Sequence, residues 1–275
     1  MTIDRYVLFG NPVGHSKSPL IHGQFAAQTG QALDYRTHET ALDGFPTALR
    51  AFVQSGGRGA NVTAPFKLQA FEAADEVLER GRLAGAVNAL KVEADGRVLA
   101  DNVDGIGLVN DIQRNLGLPL AGKRVLLLGA GGAARGAMLP FLSQAPAALV
   151  IANRDGRKSA ALAQQFSAHG PVQAATYADL PGATFDLVVN ATSASLRGEL
   201  PPLAPTVFGR EALAYELVYG KGLTPFLRLA QQAGVARLAD GVGMLVEQAA
   251  EAFAWWRGVR PDTQDMITRL TVPLV

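Results

Sequence analysis

The segment that most restricts what this chain can fold into is Arg124-Val125-Leu126-Leu127-Leu128, followed at once by Gly129-Ala130-Gly131-Gly132-Ala133-Ala134. The apolar run reads as a buried strand, and the glycines imply a tight reversal into a helix over Gly132 to Gln144. A strand from Leu149 to Asn153, a helix from Lys158 to His169 and a strand from Asp186 to Asn190 follow. Strands alternating with crossover helices imply a parallel sheet covered on both faces. A strand from Leu213 to Tyr219 and a helix from Thr224 to Ala233 extend it. The last helix, Val242 to Arg257, carries Leu245, Ala249, Phe253 and Trp256 at helical spacing, and Trp255 and Trp256 read as packing residues.

The same turn points to a ligand. Glycines let the backbone approach a pyrophosphate, whose charge is stabilised by the unpaired N–H groups of a helix N-terminus. Because this turn closes a strand and opens a helix inside a βαβ unit, Gly129, Ala130, Gly131, Gly132 and Ala133 read as a dinucleotide cradle, with Ala134 at the third fingerprint position. At the end of the next strand an NAD protein usually carries a carboxylate. Here Asn153-Arg154, with Arg157 and Lys158, offers cations to a 2′-phosphate, which favours NADP over NAD. Asp155 opposes that choice by repelling the phosphate, unless it serves to cap the following helix.

The first hundred residues have a different character. Tyr6 to Phe9 and Gly59 to Val62 read as strands, and Pro19 to Thr29, Phe45 to Ser55 and Phe66 to Ala74 as helices. Leu90 to Glu93 and Val98 to Ala100 flank Asp95-Gly96 as a hairpin. Within this part, Asn61-Val62-Thr63-Ala64-Pro65-Phe66-Lys67 reads as a loop that presents a reactive group. Hydride transfer to a carbonyl leaves a developing alkoxide, and the Lys67 ammonium can supply both a proton and positive charge. A carboxylate placed beside it assists that work, and Asp104 of Asn102-Val103-Asp104-Gly105 is the candidate. Taken alone, Lys67 would be a surface residue and Asp104 a turn residue. Together with the glycine turn they imply a cleft with substrate on one wall and cofactor on the other.

Composition removes other classes. In 275 residues, 48% are hydrophobic and 18% charged, so a globular chain of one or two domains is expected. The formal charge of +1, with no Lys/Arg block, argues against nucleic acid as a partner. The absence of cysteine removes disulfides, thiolate nucleophiles and cysteine-bound metals. His15, His22, His38 and His169 show no ligand spacing, so no metal is expected and they read as solvated or capping residues. With no signal-peptide pattern at the amino terminus and no apolar run of roughly twenty residues, the expected location is cytoplasmic, without membrane contact.

Across nearly its whole length the chain resembles the shikimate dehydrogenase family. The resemblance rests on Gly14-His15-Ser16-Lys17-Ser18-Pro19, Asn61 through Lys67, Gly85-Ala86-Val87-Asn88, Asn102-Val103-Asp104-Gly105, Gly129 through Ala134, Asn153-Arg154, Asn190-Ala191-Thr192-Ser193 and Asp240-Gly241-Val242-Gly243-Met244. It implies an α/β fold of two domains: a discontinuous α/β substrate domain (1–101 plus 241–275) and a Rossmann-like, doubly wound parallel-sheet NADP domain (102–240). The implied activity is the reversible reduction of 3-dehydroshikimate to shikimate with NADP. Lys67 and Asp104 match the family's catalytic pair. By the same match, Ser16, Ser18 and Tyr219 would hold the substrate carboxylate, and Thr63, Asn88, Asp104 and Gln248 the ring hydroxyls. Gly241, Leu217 and the segment containing Thr192 would flank the nicotinamide.

Three positions depart from the family's usual pattern: Val103 for threonine, Asp155 for threonine and Leu217 for methionine. A missing Val103 hydroxyl implies one lost hydrogen bond and lower turnover. Quinate oxidation with NAD stands as an alternative, with Asp155 its main support. A non-catalytic shikimate or quinate sensor is an alternative of another class, opposed by the intact Lys67 and Asp104. A folate-linked lysine-dependent enzyme would leave Ser16, Ser18 and Gln248 unaccounted for. Monomer and homodimer are both open.

Overall fold

Five consecutive buried residues at the end of β1 (Asp4–Gly10) mark it as an interior strand. In the computed structural model, which describes residues 3–274, it lies between β2 (Leu33–Glu39) and β3 (Gly57–Val62), parallel to both. The antiparallel hairpin β5 (Ala89–Val92) and β6 (Val98–Asp101) continues from β3, and the two-residue β4 (Glu76–Val77) closes the far edge. The order is β2-β1-β3-β5-β6-β4. Along β1, Val7 and Phe9 join a core with Phe45, Leu49, Phe66 and Leu90, while Tyr6 and Leu8 pack with Val13 and Tyr35. The helices of this part are α1 (Ser18–Thr29), α2 (Phe45–Gln54), α3 (Lys67–Ala73) and α4 (Glu79–Ala84).

After α5 (Asp104–Asn110) and a π-helical turn over Asp111–Asn115, the second sheet begins. It is entirely parallel: β7 (Arg124–Leu128), β8 (Ala148–Ala152), β9 (Val172–Ala175), β10 (Phe185–Asn190), β11 (Phe208–Glu216) and β12 (Arg237–Ala239). The spatial order is β12-β11-β10-β7-β8-β9. This is the doubly wound arrangement, in which the strand order reverses between the first and fourth strands, and ligands bind at the carboxyl ends beside that reversal. Its helices are α6 (Gly132–Leu142), α7 (Gly156–Phe166) and α8 (Pro225–Gln232). Two further helices, α9 (Val242–Arg257) and α10 (Gln264–Leu270), end the chain.

Packing divides the chain into two units, one running to Gly107 and resumed by Val246–Met266, the other Leu108–Leu245 resumed from Ile267. The sequence reading gave all of 241–275 to the first part. In the structure Leu274 packs against the core of the second sheet, so the last residues go with the second unit. The strand expected over Leu213 to Tyr219 runs instead from Phe208 to Glu216, and Leu217 onward forms a loop tied to Asn190 by the Leu217 N–H. Trp256 is a packing residue, its indole N–H donated to Leu90 O at 2.9 Å and its ring 4.7 Å from that of Tyr6.

Candidate active site

In the first unit the site is assembled from the ends of β3, β5 and β6. The Thr63 N–H bonds Phe9 O and the Val62 N–H bonds Asn88 O, which fixes the loop that delivers Lys67 to the first turn of α3. Lys67 O in turn accepts from the Val87 N–H, tying α3 to the segment carrying Asn88. Asn88 is buried, and its amide makes three contacts. Its Oδ1 accepts the Val103 N–H at 2.8 Å, and its Nδ2 donates to Asp104 Oδ1 at 2.8 Å and reaches Gln248 Oε1 at 3.5 Å. Asp104 opens α5, where Asn102 Oδ1 accepts its N–H at 3.2 Å. The second carboxylate oxygen, Asp104 Oδ2, lies 2.5 Å from Lys67 Nζ. One oxygen is thus held by an amide and the other by an ammonium, which fixes the carboxylate plane. Both side chains remain open to an incoming molecule, with 35% of Lys67 and 21% of Asp104 exposed.

Around this pair the structure gathers Asn88 and Gln248, two of the residues expected to read ring hydroxyls, while Thr63 is held through its backbone, its N–H on Phe9 O. Ser16 and Ser18 form a separate hydroxyl pair at the start of α1. Ser16 Oγ donates to Ser18 Oγ at 3.1 Å and accepts the Ser18 N–H at 3.2 Å. Tyr219 lies in the second unit, 45% exposed in the loop after β11. Two residues beneath the Lys67 site carry no role in the sequence reading: Tyr35, whose hydroxyl donates to Asn61 Oδ1 at 2.7 Å, and Asn61, whose Nδ2 donates to Asn88 O at 3.1 Å. Asn61 opened the motif, but nothing in it pointed to a tyrosine on a polar edge strand.

His22 corrects an expectation. It is fully buried, four residues after Ser18 on the inner face of α1, and neither ring nitrogen has a hydrogen-bond partner. Its ring stacks on Tyr35 at 4.2 Å and lies near Phe253 and Trp256. Burial pushes its pKa down to about 3, against a weaker opposite pull from Asn61, so the imidazole is neutral.

In the second unit a cavity of about 430 Å³ opens at the carboxyl ends of β7, β8 and β10. Gly129, Ala130, Gly131, Gly132, Asn153, Arg154 and Thr192, all expected, line it. Gly129 has a φ of +105°, and a Cβ there would come within 3.2 Å of Ala191 O and Thr192 Cγ2. At Gly131 and Gly132 a Cβ would meet nothing within 4 Å. The backbone thus faces open space at the N-terminus of α6, the cradle a pyrophosphate requires. Arg154 supplies a cation to the same cavity. These features fit a dinucleotide carrying an extra phosphate.

Ala133, Lys158, Leu217 and Gly241 do not line this cavity. Leu217 and Gly241 are nevertheless brought together, since a Cβ on Gly241 would lie 2.2 Å from Leu217 O. Lys158 stays exposed in the first turn of α7. Tyr177, Arg197 and Glu199 also line the cavity, and sequence reasoning missed them. Arg197 pairs with Glu199 at 2.8 Å and donates to Ser193 Oγ at 3.1 Å. Arg197 first, and Arg154 more weakly, hold the Glu199 carboxyl below its ordinary range. The one sequence signal for Arg197 and Glu199 was position, just after Asn190-Ala191-Thr192-Ser193, and Tyr177 had none.

Asp155 and Val103, the two departures from the family pattern, have local explanations. Asp155 is the N-cap of α7, accepting the Arg157 N–H at 3.1 Å and pairing with the Arg157 guanidinium, and it does not line the cavity. Val103 is 1% exposed, with its side chain packed on Ala89 and Ala252. It directly precedes α5, where a threonine hydroxyl would cap the first turn, and the valine gives up that cap for apolar packing. Among the described residues no group of histidines and carboxylates could hold a metal, and no helix is long and apolar enough to cross a membrane.

A doubly wound parallel sheet with a glycine cradle at its reversal, carried in one chain with a Lys–Asp site on a mixed sheet, defines a dinucleotide-dependent α/β oxidoreductase. Three family models match in succession: the shikimate dehydrogenase substrate binding domain over 8–90, shikimate / quinate 5-dehydrogenase over 111–197, and the shikimate 5′-dehydrogenase C-terminal domain over 241–271. The curated shikimate dehydrogenase (NADP(+)) of Nitrosospira multiformis is 57% identical over 267 residues, 97% of each chain. Among solved structures, an Ael1 enzyme from Pseudomonas putida is 61% identical with a TM-score of 0.96, covering 99% of this chain and 100% of that one. A shikimate 5-dehydrogenase from Thermus thermophilus, solved with NADP(H) and shikimate, is 30% identical with a TM-score of 0.84, covering 97% of this chain and 98% of that one. The chain belongs to the shikimate dehydrogenase family.

Proposed function

We propose that the protein catalyses the reversible reduction of 3-dehydroshikimate to shikimate with NADPH, a step of aromatic amino-acid biosynthesis. The observation that carries this reading is the 2.5 Å contact between Lys67 Nζ and Asp104 Oδ2, set beside Asn88 and Gln248. NADPH, when bound, supplies the hydride that converts the ring ketone to an alkoxide. Lys67 donates the proton that completes the alcohol, and in the oxidative direction takes it back. Asp104 keeps the ammonium aimed at that oxygen and accepts from a neighbouring hydroxyl. Asn88 and Gln248 present amide donors and acceptors to the other alcohols, a means of rejecting rings that lack them. Ser16 and Ser18 are assigned to the carboxylate.

The second unit is assigned to the cofactor. The Gly129–Gly132 backbone takes the pyrophosphate, and Arg154, with Lys158 nearby in sequence, takes the 2′-phosphate. Asp155 does not favour NAD here, because its charge is directed to the α7 N-terminus and to Arg157. Lys67→Ala tests the chemistry. Turnover should fall by about a thousand-fold or more while the Kd for shikimate changes by less than about ten-fold, since proton transfer acts in the transition state. Turnover within about two-fold of the parent would refute the role of Lys67.

A further inference from the structure

Glu216, the last residue of β11, is fully buried, and among the described residues it pairs with no cation. Four donors converge on its carboxylate instead. Oε2 accepts from Ser195 Oγ at 2.5 Å, Asn190 Nδ2 at 2.9 Å and Thr224 Oγ1 at 3.1 Å, and Oε1 accepts the Val218 N–H at 3.2 Å. A buried carboxylate is retained at a cost in desolvation, and here burial raises its pKa. The donors come from three places: the end of β10 and the short helix after it, the loop after β11, and the N-cap of α8.

The contact continues into the cofactor cavity. With its Nδ2 committed to Glu216, Asn190 must present Oδ1 the other way, where it accepts from the Thr192 N–H at 3.2 Å and from Thr192 Oγ1 at 2.7 Å. Thr192 Oγ1 then accepts the Ala194 N–H at 3.3 Å. Ala191 through Ala194 form one wall of the cavity, and the Leu217 N–H bonds Asn190 O.

We infer that Glu216 is a positioning residue for the cofactor cavity: its carboxylate sets the Asn190 amide, and through it the wall from Ala191 to Ala194. This rests on the cofactor assignment proposed above. A glutamine at this position has one acceptor and one donor where the site supplies four donors. Either a donor loses its partner, or the Asn190 amide turns over and presents its NH₂ to the Thr192 N–H. Binding of the substrate, assigned to the other unit, should be unaffected.

The test compares binding of NADP⁺ and of shikimate to the parent protein and to Glu216→Gln by titration calorimetry. The Kd for NADP⁺ should rise roughly ten-fold or more, the loss of one charge-assisted hydrogen bond, with that for shikimate unchanged. Ser195→Ala, which keeps the carboxylate and removes one donor, should shift NADP⁺ alone by about three-fold. Equal weakening of both ligands, or of neither, would overturn the inference. A Glu216→Gln chain that does not fold leaves the decision to Ser195→Ala. If the parent does not bind NADP⁺, the cofactor assignment itself fails.

Discussion

At the scale of single residues, His22 shows how a titratable group becomes an acid sensor of stability. In the unfolded chain it titrates near 6.5, and in the fold burial lowers it to about 3. Between those values the unfolded state binds the proton and the folded state does not. Stability is therefore lost as pH falls through this window, by about 2 kcal/mol at pH 5. His22→Phe preserves the stack on Tyr35 and removes the proton, so its unfolding free energy should fall about 2 kcal/mol less than the parent's between pH 7.5 and pH 5 in urea titrations. Equal losses would show that the buried imidazole is not the source. Residues of this kind were the least legible ones in the sequence. Lys67, Asp104 and Asn88 were readable because a motif fixed their spacing, whereas His22, Tyr35 and Glu216 are defined by what surrounds them. Asp155 and Val103 illustrate the same limit. Each looked like a change in the site, and each side chain is engaged elsewhere, in a helix cap and in an apolar cluster.

At the scale of elements, the strands that escaped the sequence reading share one property. β2 and β4 are the edges of the first sheet, and β9 and β12 are the edges of the second. An edge strand takes its hydrogen bonds from one neighbour and buries little, so it lacks the apolar pattern that exposed β1, β7, β8 and β10. In β2 only Tyr35 is buried. Helix packing carries a sharper requirement. A Cβ on Gly107 of α5 would lie 2.6 Å from the backbone nitrogen and 2.8 Å from the Cα of Gln248 on α9. Backbone cannot yield as a side chain does, so α9 has to move, and Gln248 with it. Gly107→Ala should cost about 1–3 kcal/mol of stability, the range for overpacking, and should raise the KM for shikimate more than it lowers kcat, because the displaced group is the one proposed to read the substrate. Urea unfolding together with steady-state kinetics checks this. A variant unchanged in both would mean that the two helices accommodate the methyl group.

At the scale of the whole molecule, the chain carries two sites, one in each unit, with different physical demands. The first uses side chains fixed by one another: an ammonium, a carboxylate and two amides on the ends of a mixed sheet. The second uses backbone, with open space at Gly131 and Gly132 and a strained turn at Gly129. The glycine cradle was legible because backbone geometry of that kind admits few residues, and the parallel sheet followed from alternation of strand and helix. The share of α9 and of the last residues between the units was not legible, since a helix carries no mark of which core its successive turns join. If the protein serves shikimate and NADP together, initial rates for shikimate and quinate, each with NADP⁺ and NAD⁺ and read as reduced cofactor, should show a high kcat/KM for shikimate with NADP⁺. Values for the other three pairings should be lower by at least about ten-fold, the weight of one charge-assisted or buried polar contact. Equal or faster oxidation of quinate, or equal use of NAD⁺, would contradict this assignment.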